Sequence, residues 1–441
     1  MKKRILLLCL TLLTALLFAG CGMRTVQEMY ALPKRSEEFS QLQSVIDAAM
    51  VGKTYSAPLS GENQQTVQMA DLDGDGVEEY LIFASDSSDK PLKVLIFAQS
   101  GDSVRLVETI ESSGAAFEQV EYVPFDDKPG CEMVIGRQVS DQVLRRLTVY
   151  TYHNGSAEQM LLVGYTKFLT SDLDENGYSE VMVLRPGEAE TQRGMAMLYS
   201  CHNGQIERSV ETELSEDTSH IRRITQGRLQ CGTPAVFVAS SVDDSAIVTD
   251  IFALDEEERF TNITFSSEAD TSIRTLRNHY VYAADIDEDG ILELPGSITM
   301  RALSDFQVDE QNFLLRWFSV DADGWEMDKM FTYHNFVGGW YMVLDISWAT
   351  RAMVEERNGV YGFYVWDPEF QQASLVFKVY EFTGSTRDED AVADGRFALN
   401  RTESVAYAAK LENTASQYGI NEESLIENFR LIRQDWRADE K

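Results

Sequence analysis

Three nine-residue loops carry the side chains best suited to chemistry in this chain: Asp71–Glu79, Asp172–Glu180 and Asp285–Glu293. Positions 1, 3 and 5 are Asp71, Asp73 and Asp75 in the first, Asp172, Asp174 and Asn176 in the second, and Asp285, Asp287 and Asp289 in the third. Position 6 is Gly76, Gly177 or Gly290, and position 9 is Glu79, Glu180 or Glu293. Oxygen donors at alternate positions, with a glycine that lets the chain turn sharply, are how a short loop wraps a hard cation. Ca2+ is the expected ligand. Its role would be structural, neutralising carboxylates that otherwise repel and pinning the turn. The competing reading is an Asp/Gly-rich turn without metal.

Other ion-site classes fit less well. An EF-hand needs Glu at position 12, where these loops have Ile82, Val183 and Gly296. Paired dockerin loops lie a couple of dozen residues apart with helices between, whereas these are separated by a hundred residues or more and lead into strands. No catalytic constellation stands out. The histidines are His153, His202, His220, His279 and His334, and two of them precede Asn-Gly at equivalent hairpin positions, which marks them as turn residues. No GxSxG, HExxH or P-loop is present. Enzymatic activity is therefore not expected.

The elements that position these loops are short strands. Glu79–Ala84, Leu92–Ala98, Ser103–Ile110 and Phe117–Val123 read as four strands in about fifty residues, the pattern of a propeller blade. A second marker recurs beside the loops. It is the turn Gln99-Ser100-Gly101-Asp102, then Tyr152-His153-Asn154-Gly155 and Cys201-His202-Asn203-Gly204, where Asn-Gly is the favoured two-residue hairpin turn. Further turns at Glu256, Gly324 and Asp367 continue the series at spacings of 54, 49, 52, 68 and 43 residues, so six units are readable. The second (Phe125–Gly130) and fourth (Gln226–Gly232) have lost the ligand set, which places ion sites on alternate units. The expected fold is all-β: a β-propeller of about six to seven four-stranded blades, with a short N-terminal helix and a small C-terminal strand-plus-helix segment. The helix is expected from about Ser36 to Val51, and Asn421 should cap a last helix with Leu425, Phe429, Ile432 and Trp436 on one face.

The N-terminus reads as a secretion signal: Lys2, Lys3 and Arg4, an apolar run from Ile5 to Phe18, then Ala19-Gly20-Cys21. The domain plan is signal peptide at 1–20, anchor, helix and linker at 21–66, propeller-like repeats at 67–382, and a C-terminal α+β segment at 383–441. The net charge of −34 argues against nucleic-acid partners, which need basic patches. Beyond Cys21, the cysteines are Cys131, Cys201 and Cys231, an odd set that leaves at least one thiol unpaired. A Cys131–Cys231 bridge is open at this level, and small buried apolar residues are the simpler role. All six tryptophans lie beyond residue 316. Among them Trp317, Trp325, Trp340 and Trp366 are the candidates for a face that grips a protein or glycan, but the alternation in Trp340–Leu344 and Tyr361–Trp366 favours strands that pack a core.

Leu17-Phe18-Ala19-Gly20-Cys21 resembles the lipobox of bacterial lipoproteins, in which the signal is cut before the cysteine and that cysteine carries the lipid. The three acidic loops, each followed by an apolar strand, are similar to the calcium loops of FG-GAP/VCBS-type repeats, which form β-propellers in integrin α chains and bacterial surface proteins. The resemblance covers roughly residues 67 to 300, with Glu at position 9 where that family more often has Asp. Together they imply a calcium-stabilised binding or scaffolding module, held outside the cytoplasm on the bacterial cell membrane through Cys21. The alternatives are a propeller-fold enzyme acting on cell-wall or other polysaccharide, and a transporter-associated substrate-binding lipoprotein.

Overall fold

The computed structural model describes residues 37–432 apart from 102, 140–144, 188–192, 243–245, 256, 278–280 and 305–307. The signal peptide, Cys21, Ser36, Glu256 and Trp436 therefore lie outside the described residues. The chain is all-β and built of propeller-type blades, six consecutive antiparallel sheets of four or five strands. Blade two shows the plan. Its strands Ala116–Val123, Glu132–Gln138, Arg145–His153 and Ser156–Tyr165 pair in chain order. The last hairpin turns at Asn154 and Gly155, both at positive φ, with His153 opposite Ser156. Asn203 and Gly204 make the same turn in blade three.

Strands in the middle of each blade are buried on both faces, which is why they read as unbroken apolar runs rather than alternating ones. In Glu79–Ser85, Leu81 and Phe83 face blade two while Ile82 faces the other way. Successive blades share cores across their faces. Phe83 meets Phe117 edge to face at 5.0 Å between blades one and two. Val149, Phe168 and Val183 join two to three, Leu198 and Phe252 join three to four, and Ile251 and Phe318 join four to five. The largest cluster, around Trp340, Phe363 and Phe377, joins five to six.

The two remaining faces are covered by helical segments. The helix Glu37–Ala49 lays Leu42, Val45, Ile46 and Ala49 on Ile82, Leu95 and Phe97 of blade one. At the other end Ala391, just after the short helix Arg387–Asp390, packs on Ala406 and Ala408 of blade six.

Two expectations are corrected. The strand near Phe117–Val123 opens blade two rather than closing blade one; the missing strand of blade one is Val67–Ala70. The reason is that the first two acidic loops each join two paired strands, Ala70 sitting opposite Glu79 and Ser171 opposite Glu180, and the third is closed by the bridge of Ala284 to Glu293. The final helix is also shorter than expected. Asn421 caps it through a capping box with Ser424, but it stops at Asn428, and Phe429–Leu431 runs on as a strand beside Trp340–Met342. Phe397–Arg401 and Val405–Leu411, from the segment set apart in the domain plan, supply two strands of blade six.

Candidate metal centres at the blade junctions

Each acidic loop closes on itself through one repeated set of hydrogen bonds. The position 1 carboxylate accepts from backbone N–H groups across the loop: Asp71 from Gly74 and Gly76, Asp172 from Asn176 and Gly177, Asp285 from Asp289 and Gly290. At position 5, Asp75, Asn176 and Asp289 each accept from the N–H two residues on. The position 9 glutamate turns inward and accepts from the position 2 N–H, Glu79 from Leu72 at 3.0 Å, Glu180 from Leu173 at 2.7 Å and Glu293 from Ile286 at 3.1 Å.

The result is a pocket of carboxylates with one buried wall. Ligand atoms of Asp71, Asp73 and Glu79 lie within 4.8 Å of one another, as do those of Asp172, Asp174 and Glu180 and those of Asp285, Asp287 and Asp289. Burial, and behind it the neighbouring aspartates, push the Glu79 carboxyl up to about 6, while the Leu72 N–H opposes the shift. Glu180 and Glu293 are pushed up to about 7 for the same reasons. The donor set fits a hard divalent cation. Glu293 Oε1 is buried and has no hydrogen-bond partner among the described residues, an orphaned acceptor of the kind a cation would satisfy. The residues that would hold the ion are those named at positions 1, 3, 5 and 9, and it would supply positive charge where the chain has gathered negative charge. Blade five already has part of that charge: Lys329 Nζ lies 2.5 Å from Asp289 and 3.8 Å from Asp287.

Blade two has kept more of this frame than its sequence suggests. Glu132 Oε2 accepts from Phe125 N–H at 2.8 Å, the same seven-residue reach as in the three loops. Counting back from Glu132, position 1 is Pro124, position 3 is Asp126 and position 5 is Lys128, whose ammonium lies 2.9 Å from Asp126. A lysine side chain stands where the other loops would take an ion. His153 approaches this group, its Nε2 3.0 Å from Thr151 Oγ1, which in turn donates to Glu132. Glu132 lacks the Asp and Gly spacing of the other loops, and its signal in the sequence is an apolar residue, Phe125, seven positions before a glutamate.

The loops form a belt across the blade junctions. Cys131 Sγ donates to Asp71 O at 3.3 Å, and Gly130 lies so close to Leu72 O that a Cβ there would sit 2.3 Å from it. Ser179 N–H donates to Pro124 O between blades three and two. Arg228 of blade four pairs with Glu175 at 2.8 Å, and its carbonyl accepts from Leu292 N–H of blade five.

The aromatic candidates divide. Trp317 and Trp340 are fully buried and belong to the core, which corrects their placement on a binding face: their strands are covered on both sides, and a large apolar ring is most stable there. Trp325 is 72% exposed, and Trp366 is half-buried under Arg301. Cys131, Cys201 and Cys231 are all free, so no Cys131–Cys231 bridge forms. Among the described residues no helix is long and apolar enough to cross a membrane.

The fold and the loops define an all-β protein of propeller-type blades with acidic loops stitched across its blade junctions. Neither a family model nor a curated protein matches the chain. Among solved structures it is similar to the exotype rhamnogalacturonan lyase YesX (13% identity, TM-score 0.31, covering 81% of this chain and 72% of the other). It is also similar to a rhamnogalacturonan lyase from Bacillus licheniformis (13%, 0.28, 80% and 67%) and to TolB from Acinetobacter baumannii (9%, 0.23, 87% and 71%). At such scores the likeness carries no argument, and the fold rests on the strand pairing above.

Proposed function

We propose that the protein is a lipid-anchored, extracytoplasmic binding or scaffolding module of the FG-GAP/VCBS type, non-enzymatic, whose blades are braced by calcium. The observation that carries the bracing is the belt: acidic loops of one frame lie at blade junctions, each gathering carboxylates and turning its position 9 glutamate inward onto the position 2 N–H. An ion in such a loop fixes the chain at the point where the next blade leans on it. The binding surface would then keep its shape only where calcium is abundant, as outside a cell.

Asp172→Ala removes the acceptor for Asn176 and Gly177 N–H together with one ligand. It should lower calcium affinity and the melting temperature in calcium together; melting curves that match wild type with and without calcium would sink the bracing. The anchor has its own test. Cys21→Ser should release the protein from the membrane fraction into the medium, and retention at the membrane would refute lipidation.

A further inference from the structure

Away from the loops, a cavity of about 500 Å3 opens where the first strands of blades two, three and four run side by side, with residues 61–63 also in its wall. That volume suits a small-molecule ligand. Its polar lining consists of Glu62, Asn63, Gln119, Glu121, Tyr122, Thr170 and Gln226, and among the described residues no lysine, arginine or histidine lines it.

The hydrogen bonds in its wall fix which way these groups face. Glu121 accepts from Gln119 Nε2 on one oxygen and from Thr170 Oγ1 on the other. Gln226 Nε2 donates to Thr170 O at 2.8 Å, and Asn63 Nδ2 donates to Val120 O at 3.1 Å. Each of these amides thus spends one N–H on the protein and keeps its second N–H and its carbonyl oxygen for a ligand. Two carboxylates make the lining negative and three amides offer it both acceptors and donors, while Leu169 and Ile224 supply apolar wall. A ligand that satisfies such a lining brings a cationic donor to the carboxylates and groups that both donate and accept to the amides. An ammonium brings three donors and no acceptor, and hydroxyl groups bring further donors. Acidic ligands are excluded by the same charge, since nothing cationic in the wall would receive them.

We propose that this cavity binds an amino sugar, a hydroxylated ligand carrying a free primary ammonium. The inference rests on the reading of the protein as a binding module and names the ligand class that module takes. The ammonium sits against Glu121 and Glu62, and the ring hydroxyls meet the carbonyl oxygens of Gln119, Gln226 and Asn63.

The test is calorimetric titration of the purified full-length chain in detergent, calcium present, with four probes: the tetramer of glucosamine, the tetramer of N-acetylglucosamine, tetragalacturonate and spermidine. The expected result is binding of the glucosamine tetramer at least tenfold tighter than its acetylated counterpart, with no heat from tetragalacturonate. Glu121→Gln should weaken that binding at least tenfold, and Gln226→Ala, at an exposed position, should weaken it without moving the melting temperature. Equal binding of the two tetramers, tighter binding of tetragalacturonate, spermidine binding as tight as the sugar, or no binding of any probe would each overturn the assignment. So would unchanged affinity in both variants. Those failures leave the calcium response and the membrane anchor untouched, because the Asp172→Ala and Cys21→Ser experiments test them separately.

Discussion

Stripping calcium from the purified protein is expected to lower its melting temperature, and to lower it further at pH 8 than at pH 5. A native-only site held at a hundred times its dissociation constant stabilises by about 2.7 kcal/mol, so even one occupied loop gives a readable shift. The pH dependence follows from the three inward glutamates. Burial raises Glu79 to about 6 and Glu180 and Glu293 to about 7, against an ordinary value of 4.5. A carboxyl raised in the folded state stabilises through its protonated form. That contribution is fully present below 4.5 and is lost as pH climbs through 6 to 7. The metal-free protein should therefore weaken across that window, while calcium held through the ionised glutamates would tighten over the same range. Thermal melts at pH 5 and 8, with chelator, Ca2+ or Mg2+, check both halves. Identical melting in all three media would show the loops to be acidic turns.

Replacing Trp340 by alanine should cost about 3–5 kcal/mol, the range for deleting a buried aromatic side chain. Trp340 stacks on Phe429 at 5.4 Å, meets Tyr361 edge to face at 5.3 Å, and donates its indole N–H to Glu381 at 2.7 Å. The change therefore opens a cavity between blades five and six and leaves Glu381 with Asn335 as its remaining donor among those bonds. It also loosens Phe429–Leu431, the C-terminal strand that reaches back to blade five. Trp325→Ala, at an exposed position, should stay within about 0.5 kcal/mol of wild type. Urea unfolding of the two variants decides the matter. A Trp340 variant as stable as the Trp325 variant would return that ring to the surface and reopen the aromatic face as a binding site.

Much of the local structure was legible because it is encoded within a few residues. Asn154-Gly155 and Asn203-Gly204 specify their hairpins, since both positions need a left-handed backbone that these residues adopt cheaply. The recurring turns gave six units, and the structure has six sheets. Phase was harder. Which strand begins a blade depends on which neighbour it pairs with, and Phe117–Val123 carries the same apolar character whether it ends one sheet or starts the next. Glu132 escaped notice because Lys128 replaces an acid in its loop; its relation to Glu79, Glu180 and Glu293 appears only in the shared hydrogen bond to the N–H seven residues back.

The sequence by itself determined the strand content, the repeat, the three acidic loops and the cap at Asn421, because each is set by spacing along one short stretch of chain. Tertiary structure alone decided that the loops of neighbouring blades touch, that Lys329 reaches Asp289 from 40 residues away, and that Glu121, Thr170 and Gln226 meet at one cavity. These are contacts between segments remote in sequence. Their partners are chosen by how the faces of the blades pack, and no local pattern records that choice.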